Sequence, residues 1–190
     1  APIHIFAHEP QVSILQPKIK SYKQKNYFEY AGAAGGYIDK YGFPYCRGRV
    51  FDTIEEDTGQ YEEQTPIFWA SGACFFIKAS VFEHLAGFDE DFFAHQEEID
   101  LCWRAQNEGY KVYYTPLSQI YHLGGATLEQ GSTQKVFLNF RNSLFMLLKN
   151  LPKEAWFSTI FLRMVLDGIA GIRFFFQGKL SYTWAILRAH

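Results

Sequence analysis

Cysteine is scarce in this sequence. Only Cys46, Cys74 and Cys102 occur among the 190 residues, at wide spacing and without a C-x-x-C pair. An odd number of cysteines at such spacing argues against a disulfide framework, and the pattern gives no structural zinc site. The composition therefore fits a protein of a reducing compartment.

An excess of positive charge is also lacking, because 18 Lys and Arg residues face 20 Asp and Glu residues. This balance argues against a nucleic-acid binder that depends on phosphate contacts, since such proteins usually carry a basic excess. The charges are unevenly spread, however. Residues 1–132 hold 10 basic and 18 acidic groups, whereas residues 133–190 hold 8 basic and 2 acidic groups.

No hydrophobic run is long enough to predict a membrane span. Residues 156–176 come nearest, but Arg163, Asp167 and Arg173 interrupt them, and each charge costs about 2.5–3.5 kcal/mol at a bilayer centre. Residues 153–190 combine aromatic and aliphatic side chains with basic ones, which is typical of helices that lie on an anionic leaflet. The alternatives are that these helices pack on the domain or form a dimer interface.

The chain is 48% hydrophobic and 18% aromatic, enough for a well-buried core. Periodicity and turn residues predict an α/β domain over residues 1–132 and amphipathic helices over 133–190. We expect strands at 12–17, where Pro17 ends the run, and at 73–77, 111–114 and 119–121. We expect helices at 79–85, 97–108, 133–150, 153–176 and 180–190, and a long surface excursion over 37–65.

The densest chemical feature is an acidic cluster where a helix begins. Six carboxylates lie within residues 89–100. One interpretation is a solvated first turn that the helix dipole favours. The other is a functional carboxylate, kept ionised by the same dipole, that acts as a general base or metal partner. Glu97 and Asp100 share a helix face, and Glu98 is rotated about 100° from Glu97.

The sequence contains several short motifs in a fixed order: Ser71-Gly72-Ala73, Gly87-Phe88-Asp89-Glu90-Asp91-Phe92-Phe93, Glu97-Glu98-Ile99-Asp100-Leu101-Cys102-Trp103-Arg104, Gly109-Tyr110, Pro116, Tyr121-His122 and Arg141-Asn142. In this order, over residues 12 to about 150, they resemble the C-terminal half of family 2 glycosyltransferases. The resemblance implies a GT-A (nucleotide-diphospho-sugar transferase) fold, with residues 1–132 as its acceptor-side half, and transfer of a sugar from a nucleotide donor to an acceptor hydroxyl with inversion.

The resemblance also implies roles for the acidic residues. The base of this family lies in an acidic pair that corresponds to Glu97-Glu98, and its second position, Glu98, is the predicted base. The family pair usually ends in Asp, so Glu97 remains the alternative. Asp100, one turn on, is expected to orient the acceptor.

Further site residues follow from the same motifs. Trp69, Ser71, Gly72 and Ala73 correspond to an acceptor-binding loop, or else they pack in the ordinary way. His122 is a predicted metal ligand or diphosphate contact, since neutral imidazole binds Mn²⁺-like ions. Arg141 suits the diphosphate, or else it is solvated on a helix surface. The expected cofactor of the full-length enzyme is Mn²⁺ or Mg²⁺.

One motif is set aside. Asp89-Glu90-Asp91 has the spelling of the D-x-D signature that holds a donor's metal, but it lies downstream of the place where the family carries that signature. No D-x-D and no Gly-rich strand-to-helix turn precede Val12. We therefore expect a partial GT-A fold that lacks its N-terminal nucleotide-binding half, with a C-terminal helical annex, and no sugar transfer by this chain alone.

The predicted function is that of an inverting hexosyltransferase, rhamnosyltransferase-like, in cell-surface or cell-wall polysaccharide biosynthesis. The alternative is a non-catalytic carbohydrate-binding or interaction domain derived from the same fold. A metal-dependent hydrolase is disfavoured, because only His95 and His122 lie near the acidic cluster. Expected partners are a nucleotide-sugar donor, a saccharide or lipid-linked saccharide acceptor, a membrane surface and a second copy of the chain, with no nucleic acid.

Residues 1–10 show no basic region followed by an apolar run, so no secretory leader is predicted. The expected location is cytoplasmic, peripheral on the inner face of the plasma membrane.

Overall fold

The computed structural model describes residues 2–30, 32–124 and 132–190, and the chain forms two compact units. The sheet unit comprises Ala1–Asp39, Pro44–Asp89 and Glu98–Gly124. The helical unit comprises Lys40–Phe43, Glu90–Glu97 and Gly125–His190. The predicted boundary at 132/133 adjoins residues 125–131, which lie outside the described residues.

The chain contains short strands in its first half and long helices in its second. In chain order the elements are α1 (Pro2–His8), β1 (Val12–Ser21), β2 (Gly36–Ile38), β3 (Pro44–Cys46), β4 (Arg49–Val50), β5 (Thr53–Ile54), β6 (Thr65–Pro66), β7 (Phe76–Ile77), α2 (Ala79–His84), a 3-10 turn (Glu90–Phe92), α3 (Glu97–Asn107), β8 (Lys111–His122), α4 (Thr133–Asn150), α5 (Lys153–Phe176) and α6 (Leu180–Ala189). The predicted α/β class is confirmed at this level.

A four-stranded mixed sheet, in the order β6-β8-β1-β7, forms the core of the sheet unit. β1 is parallel to β8 and antiparallel to β7, and β6 is antiparallel to β8. β1 is buried along most of its length, as expected for a strand with neighbours on both sides. Ile5 of α1 packs on Val12 and Leu15. This helix was not predicted.

The expected stop at Pro17 is wrong, because β1 continues to Ser21. The pairing with β8 shifts at this point: Pro17 faces Thr115 and Lys18 faces Gln119. Residues 116–118 therefore bulge from β8, and a proline lies at the irregularity on each strand, where a missing N–H is tolerated. The same bulge joins the two predicted strands at 111–114 and 119–121 into one.

The expected strand at 73–77 is also shorter than predicted, since only Phe76 and Ile77 pair with β1. Ser71 forms a turn before them: its Oγ accepts from Ala73 N at 3.1 Å, and its carbonyl accepts from Cys74 N at 3.1 Å. Apolar character alone does not distinguish such a turn from a strand. Residues 37–65 form two small hairpins, β2–β3 and β4–β5, with no helix in that range.

The predicted helices agree with the structure to within two residues at each end. In the helical unit, α4 and α6 bury Leu144, Met146 and Leu147 together with Ala185 and Ile186. Ser132 caps α4, where its Oγ accepts from Lys135 N. In the described part of the chain, no helix combines the length and the apolarity that a bilayer crossing requires.

Candidate functional site

The loop Ser71-Gly72-Ala73 is held at the end of the sheet by a buried glutamine. Gln16 of β1 is fully buried; its Oε1 accepts from Ser71 N at 2.7 Å and its Nε2 donates to Gly32 O at 2.8 Å. A Cβ on Gly32 would lie 2.3 Å from Ser71 Cβ. Only glycine permits this approach at a φ of +85°, so the loop has a fixed position on the sheet.

Helix α3 fixes the chain that leads into this loop. Cys102 Sγ accepts from Ala70 N at 3.4 Å, and Gln106 Nε2 donates to Phe68 O at 2.7 Å. Cys102 is fully buried, and burial raises the pKa of its thiol to about 12. It is therefore a protonated packing group rather than a thiolate nucleophile.

Glu98, in the first turn of α3, faces the loop. A Cβ built on Gly72 would lie 3.5 Å from Glu98 Oε1, and Gly72 itself is exposed. The structure thus brings together two of the predicted site residues, Glu98 and Gly72. Because Gly72 has no side chain, it leaves space beside the Glu98 carboxylate. Such an arrangement can receive a proton from a hydroxyl group that lies over the glycine.

Asp100 has a different environment from the one expected. It is fully buried, and its Oδ2 accepts from Arg104 Nε at 2.7 Å. Arg104 in turn donates to the carbonyls of Leu85 and Gly87 at 2.6 and 2.9 Å. With these contacts Asp100 joins α3 to the end of α2, and any effect on an acceptor would pass through another group.

Trp69 is held by close packing in the sheet unit. Its side chain is buried, Nε1 donates to Tyr37 O at 2.8 Å, and its ring covers Gly36 so closely that a Cβ there would lie 2.0 Å from it. Its predicted contact with an acceptor stays a prediction. Ala73 is partly buried beside the turn at Ser71.

Glu97 lies in the helical unit beside an unusual backbone segment. Phe93, His95 and Gln96 all have positive φ values, between 61° and 71°, which non-glycine residues rarely adopt. Glu97 Oε2 is buried, and no hydrogen bond to it is found among the described residues. Burial lowers the pKa of His95 and the nearby Lys135 lowers it further, whereas Glu97 opposes the shift.

Side chains of helix α4 hold this segment by hydrogen bonds to the carbonyl groups of the segment. Asn142 Nδ2 donates to the carbonyls of Phe92, Ala94 and His95 at 3.0, 2.8 and 2.7 Å. Gln96 Nε2 donates to Asn139 O and to Ser143 Oγ. Such contacts over-determine a strained backbone and keep it in place.

Arg141 belongs to the same set of contacts. One of its terminal nitrogens donates to Asp91 O at 2.8 Å and to Phe92 O at 3.0 Å. Its predicted contact with a diphosphate stays a prediction. Asp91 itself lies in the 3-10 turn Glu90–Phe92, so the set-aside Asp89-Glu90-Asp91 motif forms a turn before α3.

His122 ends β8 beside a buried acid. Its Nδ1 lies 3.7 Å from Glu29 Oε1, and a Cβ on Gly124 would lie 3.1 Å from the same oxygen. Among the described residues, no three His, Cys, Asp or Glu side chains are grouped so that they could hold a metal ion. The predicted role of His122 as a metal ligand or diphosphate contact stays a prediction.

Sequence reasoning missed the residues that hold the site. Gln16, Gln106 and Gln96 carry no motif, and their side-chain partners are distant in the sequence. Asn142 was noticed only as part of the pair Arg141-Asn142. A buried polar residue within an apolar strand, such as Gln16 between Leu15 and Pro17, was the one available signal, because such groups are nearly always hydrogen-bonded.

Comparison with known proteins finds glycosyltransferases. No protein-family model matches the chain. It is 27% identical over 131 residues to the low-salt glycan biosynthesis hexosyltransferase Agl10 of Haloferax volcanii, covering 65% of this chain and 41% of that protein. It is 34% identical over 59 residues to the N-acetylglucosaminyl-diphospho-decaprenol L-rhamnosyltransferase of Mycobacterium tuberculosis, covering 31% of this chain and 19% of that protein.

A third similar protein is rhamnosyltransferase WbbL of Escherichia coli, 33% identical over 58 residues, covering 30% of this chain and 22% of that protein. The relatives are glycosyltransferases, so the predicted resemblance to glycosyltransferases, and to rhamnosyltransferases among them, is confirmed. The chain spans less than half of the length of each of these proteins, 41% of the first, 19% of the second and 22% of the third.

Proposed function

We propose that this chain is the acceptor-side, base-bearing part of an inverting family 2 glycosyltransferase with a GT-A fold. In this proposal a hexosyl group passes from a nucleotide-sugar donor to an acceptor hydroxyl in cell-surface polysaccharide synthesis. The glycosyltransferase relatives and the mixed α/β sheet support it. The nucleotide-binding half would be supplied by sequence outside these 190 residues, so this chain alone would not transfer sugar.

The observation that carries the proposal is the position of Glu98 against exposed Gly72. Inversion by direct displacement requires one base, which takes the proton of the acceptor hydroxyl as its oxygen attacks the anomeric carbon. A carboxylate at the first turn of a helix is stabilised in its charged form, and the glycine leaves room for the acceptor oxygen. Hydrogen bonds of Gln16, Cys102 and Gln106 hold the loop in a fixed position relative to β1 and α3.

The remaining site residues have supporting roles in this proposal. Arg141 would bear on the donor diphosphate after its contact with Asp91 is exchanged. His122, with Glu29 beside it, would be a ligand of the divalent cation. A divalent cation would supply charge neutralisation of the departing diphosphate. Its ligands would have to come largely from elsewhere, and the proton transfer to Glu98 does not involve it.

The proposed acceptor is a saccharide or a lipid-linked saccharide. The Mycobacterium tuberculosis relative is named for an acceptor on a decaprenyl diphosphate, which supports the lipid-linked class. A peripheral position on the inner face of the plasma membrane would bring the chain to such an acceptor. The alternative to this membrane contact is self-association of the chain through the same helices of the helical unit.

The test is sugar transfer by the full gene product with changes in the acidic pair. We expect Glu98→Gln to lower kcat by about 10²-fold or more, the usual contribution of a general base, with little change in KM for the donor. Glu98→Asp keeps a carboxylate and should retain far more activity than Glu98→Gln. Glu97→Gln is the matched control and should change kcat only a few-fold.

A large loss in Glu97→Gln with an active Glu98→Gln would move the base to Glu97. Two fully active variants would contradict a base in this pair. In a second arm, the 190-residue chain is titrated with UDP- and dTDP-sugars plus Mn²⁺ and, separately, with acceptor saccharides. We expect it to bind an acceptor saccharide and not to bind the nucleotide-sugar donors tightly. Tight donor binding would overturn the assignment to the acceptor side, and saccharide binding by a full gene product without any transfer would favour a binding domain.

A further inference from the structure

One face of α5 is apolar and open to solvent over five turns. Phe157, Phe161, Ile169, Ile172 and Phe176 are 77, 61, 58, 60 and 82% exposed. At 100° and 1.5 Å per residue they fall on one side of the helix and extend about 28 Å along it. An uncovered apolar stripe of this length is unusual for a surface that faces only water.

Two of the three charges that interrupt this segment in the sequence are buried away from the stripe. Arg163 and Asp167 are 4 and 2% exposed, and Arg163 Nε donates to Asp167 Oδ1 at 3.0 Å. Arg163 also donates to Gly42 O at 3.0 Å and stacks 3.8 Å from the ring centre of Phe43. Because these two charges are neutralised inside the helical unit, Arg173 is the one charged side chain left exposed on α5 between Phe157 and Phe176.

The surroundings of the stripe are cationic. From Phe157 to His190 the only acidic residue is Asp167, which is buried in that ion pair. Arg173, Lys179 and Arg188 are all exposed. α6 adds further exposed apolar side chains, Leu180, Trp184 and Leu187, at 60, 63 and 62%.

We infer that the outer face of α5, which we call the α5 stripe, lies flat on an anionic phospholipid bilayer. The inference deepens the membrane contact of the proposed function, and it does not depend on sugar transfer. Apolar side chains would enter the boundary between headgroups and acyl chains, while Arg173, Lys179 and Arg188 meet phosphates. A second copy fits less well, because two such surfaces would bring Arg173, Lys179 and Arg188 of each copy together with only Glu154 of α5 as an exposed acid to pair them.

The test is flotation of the 190-residue chain with vesicles of phosphatidylcholine, with and without phosphatidylglycerol. We expect flotation with the anionic vesicles. The double variant Phe161→Ser/Ile172→Ser should reduce the bound fraction at least about tenfold, since each buried apolar side chain contributes strongly. Val50→Ser/Leu117→Ser, at positions 62 and 72% exposed in the sheet unit, is the matched control and should float like the wild type.

The cationic part has its own variant. Arg173→Gln/Lys179→Gln should weaken binding about fivefold per charge on anionic vesicles and change nothing on neutral ones. Circular dichroism verifies that each variant is folded, and all changed residues are exposed, so folding should be retained.

Two results would overturn the inference. One is absence of flotation, or flotation that the Phe161/Ile172 variant does not reduce. The other is a concentration-dependent dimer in sedimentation that this variant abolishes while vesicles are not bound. Equal binding to neutral and anionic vesicles would overturn the assignment to anionic lipid. Because no sugar transfer is measured, failure here is distinguishable from failure of the proposed activity.

Discussion

Two glycines of the sheet unit differ in what a side chain would meet. At Gly72 an added Cβ would make ordinary contact, 3.5 Å from Glu98 Oε1, whereas at Gly36 it would lie 2.0 Å from the Trp69 ring. Neither residue has a positive φ. The same substitution therefore tests the site at one position and the packing at the other.

We predict that Gly72→Ala lowers kcat/KM for the acceptor at least about tenfold, because its methyl group occupies the space over the carboxylate. Its stability should be unchanged or raised by about 0.4–1 kcal/mol, since alanine restricts the unfolded chain. Gly36→Ala should instead lose about 1–3 kcal/mol by overpacking. Urea unfolding and acceptor kinetics on the full gene product measure both effects. An active Gly72→Ala would remove the acceptor from this loop.

At this scale the sequence was informative where a motif has local spacing and uninformative where partners are distant. The pairing of Gly72 with Glu98 could be expected from the resemblance, although the two residues are 26 positions apart. The side-chain environment of Asp100 could not, because its i,i+4 contact with Arg104 becomes buried only when Arg104 reaches the carbonyls of α2. The contact of the Trp69 ring with Gly36 could not be expected either, because the two residues are far apart in the sequence.

The segment between the 3-10 turn and α3 shows how one element shapes another. Its three left-handed residues, Phe93, His95 and Gln96, are costly by about 1–3 kcal/mol each. Asn142, on α4, offsets this cost by donating to three carbonyls of the segment. The conformation thus depends on a helix more than 40 residues later, which explains why local sequence did not predict it.

We predict that Asn142→Ala destabilises the helical unit by at least about 2 kcal/mol, because buried carbonyls lose their donor. Gln134→Ala, on the exposed side of α4, is the control and should remain within about 0.5 kcal/mol of the wild type. Release of the segment should also rehydrate His95, so its lowered pKa should rise toward the ordinary value, which NMR titration measures. Equal stability of the two variants would contradict this role of Asn142.

Helices were easier to predict than strands for a physical reason. α4 and α5 carry their periodicity over 18 and 24 residues, long enough for the pattern to be unambiguous. The strands depend on non-local pairing. Pro17 marks a bulge rather than an end because the opposite strand bulges at 116–118, a fact that no local pattern contains.

At the scale of the whole molecule, the two units treat charge differently. The sheet unit pairs its charges internally: buried Asp57 binds Lys18 and Lys20 at 3.1 and 2.9 Å, and Lys18 also bonds to Glu62. The helical unit buries the pair Arg163–Asp167 and leaves Lys149, Lys153, Arg173, Lys179 and Arg188 exposed. The acidic and basic halves of the sequence thus correspond to a unit stabilised by ion pairs and a unit that presents cations.

These environments predict how stability changes with acid. Burial alone would raise the pKa of Asp57, but the hydrogen bonds from Lys20 and Lys18 outweigh it and lower the pKa below its ordinary value near 4. A lowered folded-state pKa stabilises the fold above the unfolded-state value. That contribution is lost as pH falls through the folded-state pKa. His95, also lowered, contributes in the same direction below about pH 6.5.

In alkali the sign reverses, and Cys102 provides the test. Its thiol has a pKa of about 12 when folded, against 9.0 ordinarily, so above pH 9 the unfolded chain loses a proton that the folded chain keeps. Stability should therefore fall from about pH 9 upward, by up to about 1.4 kcal/mol per pH unit for this group. We predict that Cys102→Ala is less stable than the wild type at pH 7, because Ala70 N loses its acceptor. Between pH 9 and 11, however, its free energy of unfolding should fall less steeply with pH than that of the wild type.

Cys74→Ala is the control. It removes a thiol whose burial is partial, so the dependence of its unfolding free energy on pH should change less. Urea unfolding across this pH range measures all three. Parallel slopes for the wild type and Cys102→Ala would show that this thiol ionises as readily in the folded chain as in the unfolded one, and the tight contact of α3 with residues 68–70 would then be wrong.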